Sequence, residues 1–231
     1  MMALEPGKGF GVAVASVENP EGQVAASPCA YVVDDIEVNR EMVAELLQSV
    51  RIRAISFPSG ASFLDAFEPE QPGCILLDIR MPEMSGLELQ AELNRRGVVL
   101  PVVMITAHAD VPIAIQAMRE GAYEFIEKPF DNRHLIDVVE CAFKISQERL
   151  RSRAELDSIL TRYRTLSARE VQVLEAMVDG RLNKQIAFDL GISQRTVEVH
   201  RSNVMEKMHA RSLAELVRMT IRIGEQESSP A

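Results

Sequence analysis

The sequence predicts two domains: an α/β domain on a five-stranded parallel sheet with helices on both faces, and after it a small all-α domain of four helices. Three observations predict this. Between residues 29 and 148, five short apolar runs alternate with five helical patterns across short loops, and such alternation implies a doubly wound parallel sheet. From Leu166 onward the pattern is helical only. The charge also divides: residues 28–148 hold 10 Lys/Arg against 20 Asp/Glu, whereas residues 158–223 hold 11 against 7. A net charge of −9 for the whole chain argues against a nucleic-acid partner, but the asymmetry between the halves restores that possibility for the second.

Residues 1–28 have no clear period, and Glu5, Lys8, Glu18 and Glu21 interrupt every apolar run. A signal peptide needs a basic start and a continuous apolar core, so this stretch is expected to be a disordered extension. Ala30–Val33 is the first strand and ends on Asp34 and Asp35; a helix follows over 36–49 with Val43, Leu46 and Leu47 at helical spacing. Ile52–Phe57 is the second strand, and Ser59 opens a helix over Phe63, Leu64 and Phe67. Cys74–Leu77 is uninterrupted apolar sequence, the signature of a strand buried on both faces, and it ends on Asp78. A helix over 85–95 stops at Gly97. Pro101–Ile105 is the fourth strand and ends at Thr106; a helix over 111–120 ends at Gly121; Tyr123–Ile126 is the fifth strand, followed by Glu127-Lys128-Pro129. The last helix starts near 132 and meets no Gly or Pro from Leu135 to Leu160, so it is expected to run on as a helical linker.

Ser167 with Glu170 three residues on forms a capping box, after which Val171, Leu174 and Met177 are expected to face inward until Gly180. Asn183–Leu190 is a short helix broken by Gly191; Ser193 caps a longer helix to about Met208; Leu213–Ile223 is the last. Short helix, glycine turn and second helix make a helix-turn-helix. The expected organisation is therefore an extension 1–28, an α/β domain 29–148, a linker 149–163, a helix-turn-helix domain 164–224 and a disordered tail 225–231. No apolar run is long enough to span a bilayer, so no membrane partner is expected. Cys29, Cys74 and Cys141 are widely spaced in apolar surroundings and read as small buried hydrophobes in a reducing cytoplasm.

The carboxyl ends of parallel strands meet at one edge, where ligands and chemistry collect. Here that edge gathers Asp34, Asp35, Asp78, Thr106 and Lys128. Clustered carboxylates repel unless a cation joins them, and hard oxygens at an open edge suit Mg²⁺. A nucleophilic Asp, a divalent cation, a lysine and a hydroxyl are the parts needed to form an aspartyl phosphate.

Residues 29–148 resemble the receiver domain of two-component response regulators, with its flavodoxin-like, CheY-like fold; the run TAHADVPIAIQAMREGAYEFIEKPF at 106–130 looks most like FixJ-type members. The resemblance implies that Asp78 is the phosphoacceptor. It implies that Asp34, Asp35, Asp78 and the backbone carbonyl of Arg80 hold Mg²⁺, with Thr106 as the switch hydroxyl and Lys128 the phosphate-contacting lysine. Pro129 is then cis and Phe125 the switch aromatic; many relatives carry Tyr there. Ala107 fills a position often held by Gly or Ser. His108 is either an exposed loop residue or one that influences access of the hydrolytic water.

The stretch LSAREVQVLEAMVDGRLNKQIAFDLGISQRTVEVHRSNVMEKM, residues 166–208, resembles the LuxR/NarL-type helix-turn-helix, which implies major-groove binding by the helix that starts near Gln194. Val197, Val204 and Met208 fall on its apolar face. Arg195, Glu198, Val199, Arg201 and Ser202 fall largely on the other and are the candidates for base or phosphate contact; Lys184, Thr196 and Lys207 are candidates for phosphates. His200 is expected to pack or hydrogen-bond within the domain, and Glu170 with Arg169 to form a cap and ion pair.

Together these imply a transcriptional regulator phosphorylated on Asp78 by a sensor histidine kinase. It is then expected to dimerise, by family custom through residues 111–126, and to bind double-stranded promoter DNA, with RNA polymerase as a further partner. It is not expected to be an enzyme beyond assisting its own phosphoryl transfer and dephosphorylation. A receiver acting only as an interaction or phosphate-shuttling module is disfavoured by the complete acidic set and helix-turn-helix. A Mg²⁺-dependent phosphatase is disfavoured because Arg80 stands where a second acid is needed.

Overall fold

The computed structural model describes residues 27–67, 71–107 and 110–227. The expected extension (but for 27 and 28), His108 and the last four residues lie outside them. The chain forms two units that divide between Gln147 and Glu148.

In the first unit the strands are β1 (Cys29–Val33), β2 (Arg53–Phe57), β3 (Gly73–Leu77), β4 (Val102–Thr106) and β5 (Glu124–Glu127). They form one parallel sheet in the order β2-β1-β3-β4-β5. The helices are α1 (Glu37–Ser49), α2 (Gly60–Ala66), α3 (Gly86–Arg95), α4 (Val111–Arg119) and α5 (Asn132–Tyr163), the last continuing past the unit boundary. β1, β3 and β4 are buried at every residue. Their side chains alternate between two cores because successive strand residues point to opposite faces. Tyr31, Val33, Ile75, Leu77 and Met104 pack under α2, α3 and α4 with Phe63, Leu89, Leu93 and Ala117. Ala30, Val32, Leu76, Val103 and Ile105 pack under α1 and α5 with Val43, Leu47, Leu135 and Val139. An uninterrupted apolar run is thus what a strand covered on both faces requires.

Local chemistry sets the boundaries. Ser59 and Ser85 cap α2 and α3 through reciprocal capping boxes. Pro101 lies just before β4, but its carbonyl accepts from the Ile75 N–H at 2.9 Å. Tyr123 lies before β5, and its N–H donates to the Val102 carbonyl at 2.7 Å. One cysteine departs from expectation: Cys29 and Cys74 are buried, but Cys141 is exposed, because on α5 it falls on the outer side while its neighbour Ala142 faces the sheet.

The second unit holds α6 (Ala168–Val178), α7 (Asn183–Leu190), α8 (Gln194–Lys207) and α9 (Leu213–Glu227). Its core joins Val173, Leu174, Met177, Ile186, Val197, Val204, Met208 and Leu216 with Ile159 from the end of α5. Part of the stretch expected as linker therefore packs into this core. Val173 is fully buried and Val171 only half-buried, so the inward stripe of α6 is 173, 174 and 177 rather than 171, 174 and 177. The tail expected from residue 225 is helical to Glu227. A glycine stops a helix by turning left-handed; Gly180 (φ 75°) and Gly191 (φ 64°) do so, but Gly224 is not among the residues with positive φ.

Candidate functional site

Register builds the acidic edge. Val33 pairs with Leu77 across β1 and β3, so the next residues, Asp34 and Asp78, stand side by side, and the Asp78 N–H donates to the Val33 carbonyl at 2.8 Å. Thr106 pairs with Glu127 across β4 and β5, and the Lys128 N–H donates to the Thr106 carbonyl at 2.8 Å, which directs Lys128 to the same edge. The Lys128–Pro129 peptide is cis. The edge lies where the order β2-β1-β3 reverses the winding, a topological switch point.

The Lys128 ammonium donates to Asp34 Oδ2 at 2.6 Å and to Asp78 Oδ1 at 2.9 Å. The Arg80 N–H donates to Asp78 Oδ2 at 2.8 Å. Both Asp78 oxygens are therefore acceptors, as in an ionised carboxylate. Burial nevertheless pushes the Asp78 carboxyl above its usual range; Lys128 and the Arg80 N–H oppose this, and the Asp34 charge adds to it. Burial pulls Lys128 down, but its bonds to Asp34 and Asp78 outweigh that and hold it above the usual lysine value.

Asp34 is held from several sides. The Ile36 N–H donates to its Oδ1 at 2.8 Å, the Asn39 amide approaches Oδ2 at 3.3 Å, and the Arg40 guanidinium donates to its backbone carbonyl at 2.6 Å. The sequence reading missed Asn39 and Arg40; their signal was only a position one helical turn after the two acids. Asp35 is half-buried beside the pair, Thr106 is buried at the end of β4, and Phe125 is half-buried across from Met104. Gly86 is a further residue that sequence did not single out. A Cβ there would collide with the Asp78 carbonyl oxygen, so the start of α3 packs onto the Asp78 backbone only without a side chain.

Two converging carboxylates that already share one cation suit a divalent ion in chemistry, all donors being hard oxygens. Among the described residues no three acidic, His or Cys side chains form a metal-holding group; Asp35 and the Arg80 carbonyl would have to supply the further oxygens.

In the second unit, Ser193 caps α8 by accepting from the Thr196 N–H at 3.0 Å, with their hydroxyls 2.8 Å apart. Val197, Val204 and Met208 are buried as expected. Arg195, Thr196, Glu198, Val199 and Ser202 are exposed, and Arg201 is half-buried. Lys184 is exposed on the first turn of α7, on the side of Phe188, which is 87% exposed. Lys207 has a partner within the domain. Its ammonium donates to Glu170 Oε2 at 2.7 Å, and this carboxylate also accepts the Ser167 N–H at 2.8 Å. These bonds hold Glu170 down at about 2. The ion pair of Glu170 is thus with Lys207 and not with Arg169, which donates to Gln172 and to the Leu190 carbonyl. The cause is tertiary: packing α6 against α8 brings the α8 C-terminus onto the α6 cap. His200 is half-buried, and its Nδ1 finds no partner among the described residues.

Residues 30–140 match the response regulator receiver domain family, and residues 164–220 match the bacterial regulatory proteins of the luxR family. The transcriptional regulatory protein FixJ of Azorhizobium caulinodans is 49% identical over 194 residues, 84% of this chain and 92% of that protein. The C4-dicarboxylate transport transcriptional regulatory protein DctR of Rhodobacter capsulatus is 43% identical over 192 residues, 82% of this chain and 98% of that protein. The solved response regulator StyR superposes with a TM-score of 0.75 at 43% identity, over 85% of this chain and all of that one. No helix among the described residues is long and apolar enough to cross a membrane. With an acidic edge on a five-stranded parallel sheet and a capped helix-turn-helix beyond it, the chain belongs to the response regulators of two-component systems, as a DNA-binding transcriptional regulator with a receiver domain and a LuxR-type domain.

Proposed function

We propose that Asp78 receives a phosphoryl group from a sensor histidine kinase, and that the resulting change on the α4–β5 face drives dimerisation and binding to promoter DNA in the cytoplasm. The observation that carries this is the convergence of Asp34 and Asp78 on one ammonium, Lys128. An Asp78 oxygen attacks phosphorus and forms the new O–P bond. The phosphorus–nitrogen bond of the phosphohistidine breaks, and the imidazole leaves with the bonding electrons and takes up a proton. Asp34, Asp35, Asp78 and the Arg80 carbonyl would hold Mg²⁺, which when bound neutralises charge on the phosphoryl oxygens. Lys128 releases Asp78 Oδ1 and follows the new anion, the Thr106 hydroxyl donates to a phosphoryl oxygen, and Phe125 repacks against the core face it already touches.

The face this changes carries Val111, Ile115 and Met118, all large, apolar and exposed, as a dimer surface requires. On DNA, Arg195, Glu198, Val199, Arg201 and Ser202 of α8 lie in the major groove, and Lys184 and Thr196 hold phosphates. A single domain of this size makes too small a footprint for tight specific binding, so two half-sites read by a dimer complete it. RNA polymerase is then the partner through which bound protein changes transcription. Asp78→Asn tests the chemistry: it should take no label from a small-molecule phosphodonor and should bind promoter DNA as the unphosphorylated chain does. Retained labelling would remove Asp78 from the role.

A further inference from the structure

Helix α4 is loosely anchored. It has one fully buried side chain, Ala117, and its N-cap residue Asp110 makes no side-chain capping bond. Its C-terminal end is tied by a neighbour instead. Gln90 and Asn94 lie one turn apart on α3, so their side chains emerge on one face. The Gln90 amide donates to the Ala117 carbonyl at 3.3 Å, and the Asn94 amide donates to the Glu120 carbonyl at 2.7 Å. The Ala117 carbonyl also accepts the Ala122 N–H at 2.9 Å, and carbonyls at a helix C-terminus, which lack intrahelical donors, readily accept such further ones. Gln90 is fully buried, and its Oε1 has no partner among the described residues. A buried amide whose acceptor oxygen is unmet is costly, and the bond its nitrogen makes among the described residues is to α4. This arrangement stores an unsatisfied group next to the helix whose exposed face carries Val111, Ile115 and Met118.

We propose that Gln90 and Asn94 are positioning residues for α4: the two amides fix its C-terminal end in the arrangement that accompanies an unphosphorylated Asp78, and their release lets the dimer face form. This rests on the proposed α4–β5 route from Asp78 to dimerisation. Each neutral bond of this kind changes an equilibrium by a few-fold to about tenfold, the right size for a latch that a single phosphoryl group can overcome. Asn94 does the greater share of the holding through its shorter bond, and the unmet Gln90 Oε1 favours release, because moving α4 frees that amide to satisfy both of its polar atoms in a new setting.

The test uses the full chain with Gln90→Leu, which removes donor and unmet acceptor at nearly constant volume, and with Asn94→Ala. Backbone hydrogen exchange is read first, without phosphodonor. Amides of α4 should exchange at least about fivefold faster in each variant than in wild type, while those of α1 stay unchanged; equal α4 exchange overturns the proposal. Sedimentation equilibrium is read second. Without phosphodonor the variants should dimerise at least about threefold more tightly than wild type, and with acetyl phosphate they should match it. Faster α4 exchange with unaltered dimerisation in both conditions also overturns it. A wild type that takes up phosphate without dimerising sinks the α4–β5 route itself, and the exchange result still decides whether the amides hold α4.

Discussion

Replacing Lys128 by Met leaves Asp34 and Asp78 facing each other with no shared cation. In the intact domain the three side chains are nearly buried, 12% exposed for Lys128, 7% for Asp34 and 10% for Asp78. Breaking a fully buried pair by removing one partner costs about 3–5 kcal/mol. Here Asp34 keeps its bond from the Ile36 N–H and Asp78 keeps its bond from the Arg80 N–H. About 2–3 kcal/mol at neutral pH is therefore expected, a fall in urea midpoint of about 1–2 M for a domain of this size. The pH dependence follows from Asp78. Its folded pKa already lies above the usual value through burial, and Lys128 opposes that rise. Without Lys128 it rises further, so the folded domain holds a proton there that the unfolded chain has released. Stability in the variant then falls as pH rises above the usual carboxylate value and through the raised one, and it returns as pH is lowered. Wild type has the compensating ammonium and should show a shallower slope. Mg²⁺ should restore part of the loss in the variant, because a cation again joins the carboxylates. The assay is urea denaturation of the full chain by circular dichroism at about pH 7 and about pH 5, with and without Mg²⁺. Equal midpoints for variant and wild type at both pH values would refute the reading of Lys128 as the shared counter-ion.

Four further perturbations follow from the structure of the two units. Gly86→Ala forces a Cβ against the Asp78 carbonyl, so it should cost about 1–3 kcal/mol and slow phosphorylation, read by denaturation and by labelling with acetyl phosphate. Glu170, held down at about 2 by Lys207 and the Ser167 cap, gives stability that is present above the usual glutamate value and lost as pH falls toward 2; Glu170→Gln should flatten acid unfolding of the second unit in that window. Arg195→Ala should weaken promoter binding and reduce the slope of log affinity against log salt by about 1, whereas Lys207→Ala should lower stability and leave that slope unchanged.

The order and kind of the elements were legible in the chain because each apolar run has one period and most ends carry a local signal. Ser59, Ser85, Ser167 and Ser193 cap helices through their own side chains, and left-handed Gly180 and Gly191 stop them. The acidic edge was also legible: in a parallel sheet, the residue after each strand goes to the same edge whatever the packing. The resemblance to response regulators rests on that regularity and on the helix-turn-helix run, both of which are local in sequence.

The fold class, the two-part organisation and the residues brought to the sheet edge thus follow from the chain's local pattern. The remaining features depend on partners distant in the chain. Lys207, a plausible phosphate contact by its position on α8, is taken by Glu170, 37 residues away. Cys141 is turned outward while the other two cysteines are buried. Gly86 has to be a glycine because α3 starts against the Asp78 backbone. Gln90 and Asn94 look like surface amides until α4 packs beside them and leaves one of them buried. Periodicity tells a side chain which way to face; only the packed chain determines which charge or carbonyl it meets there.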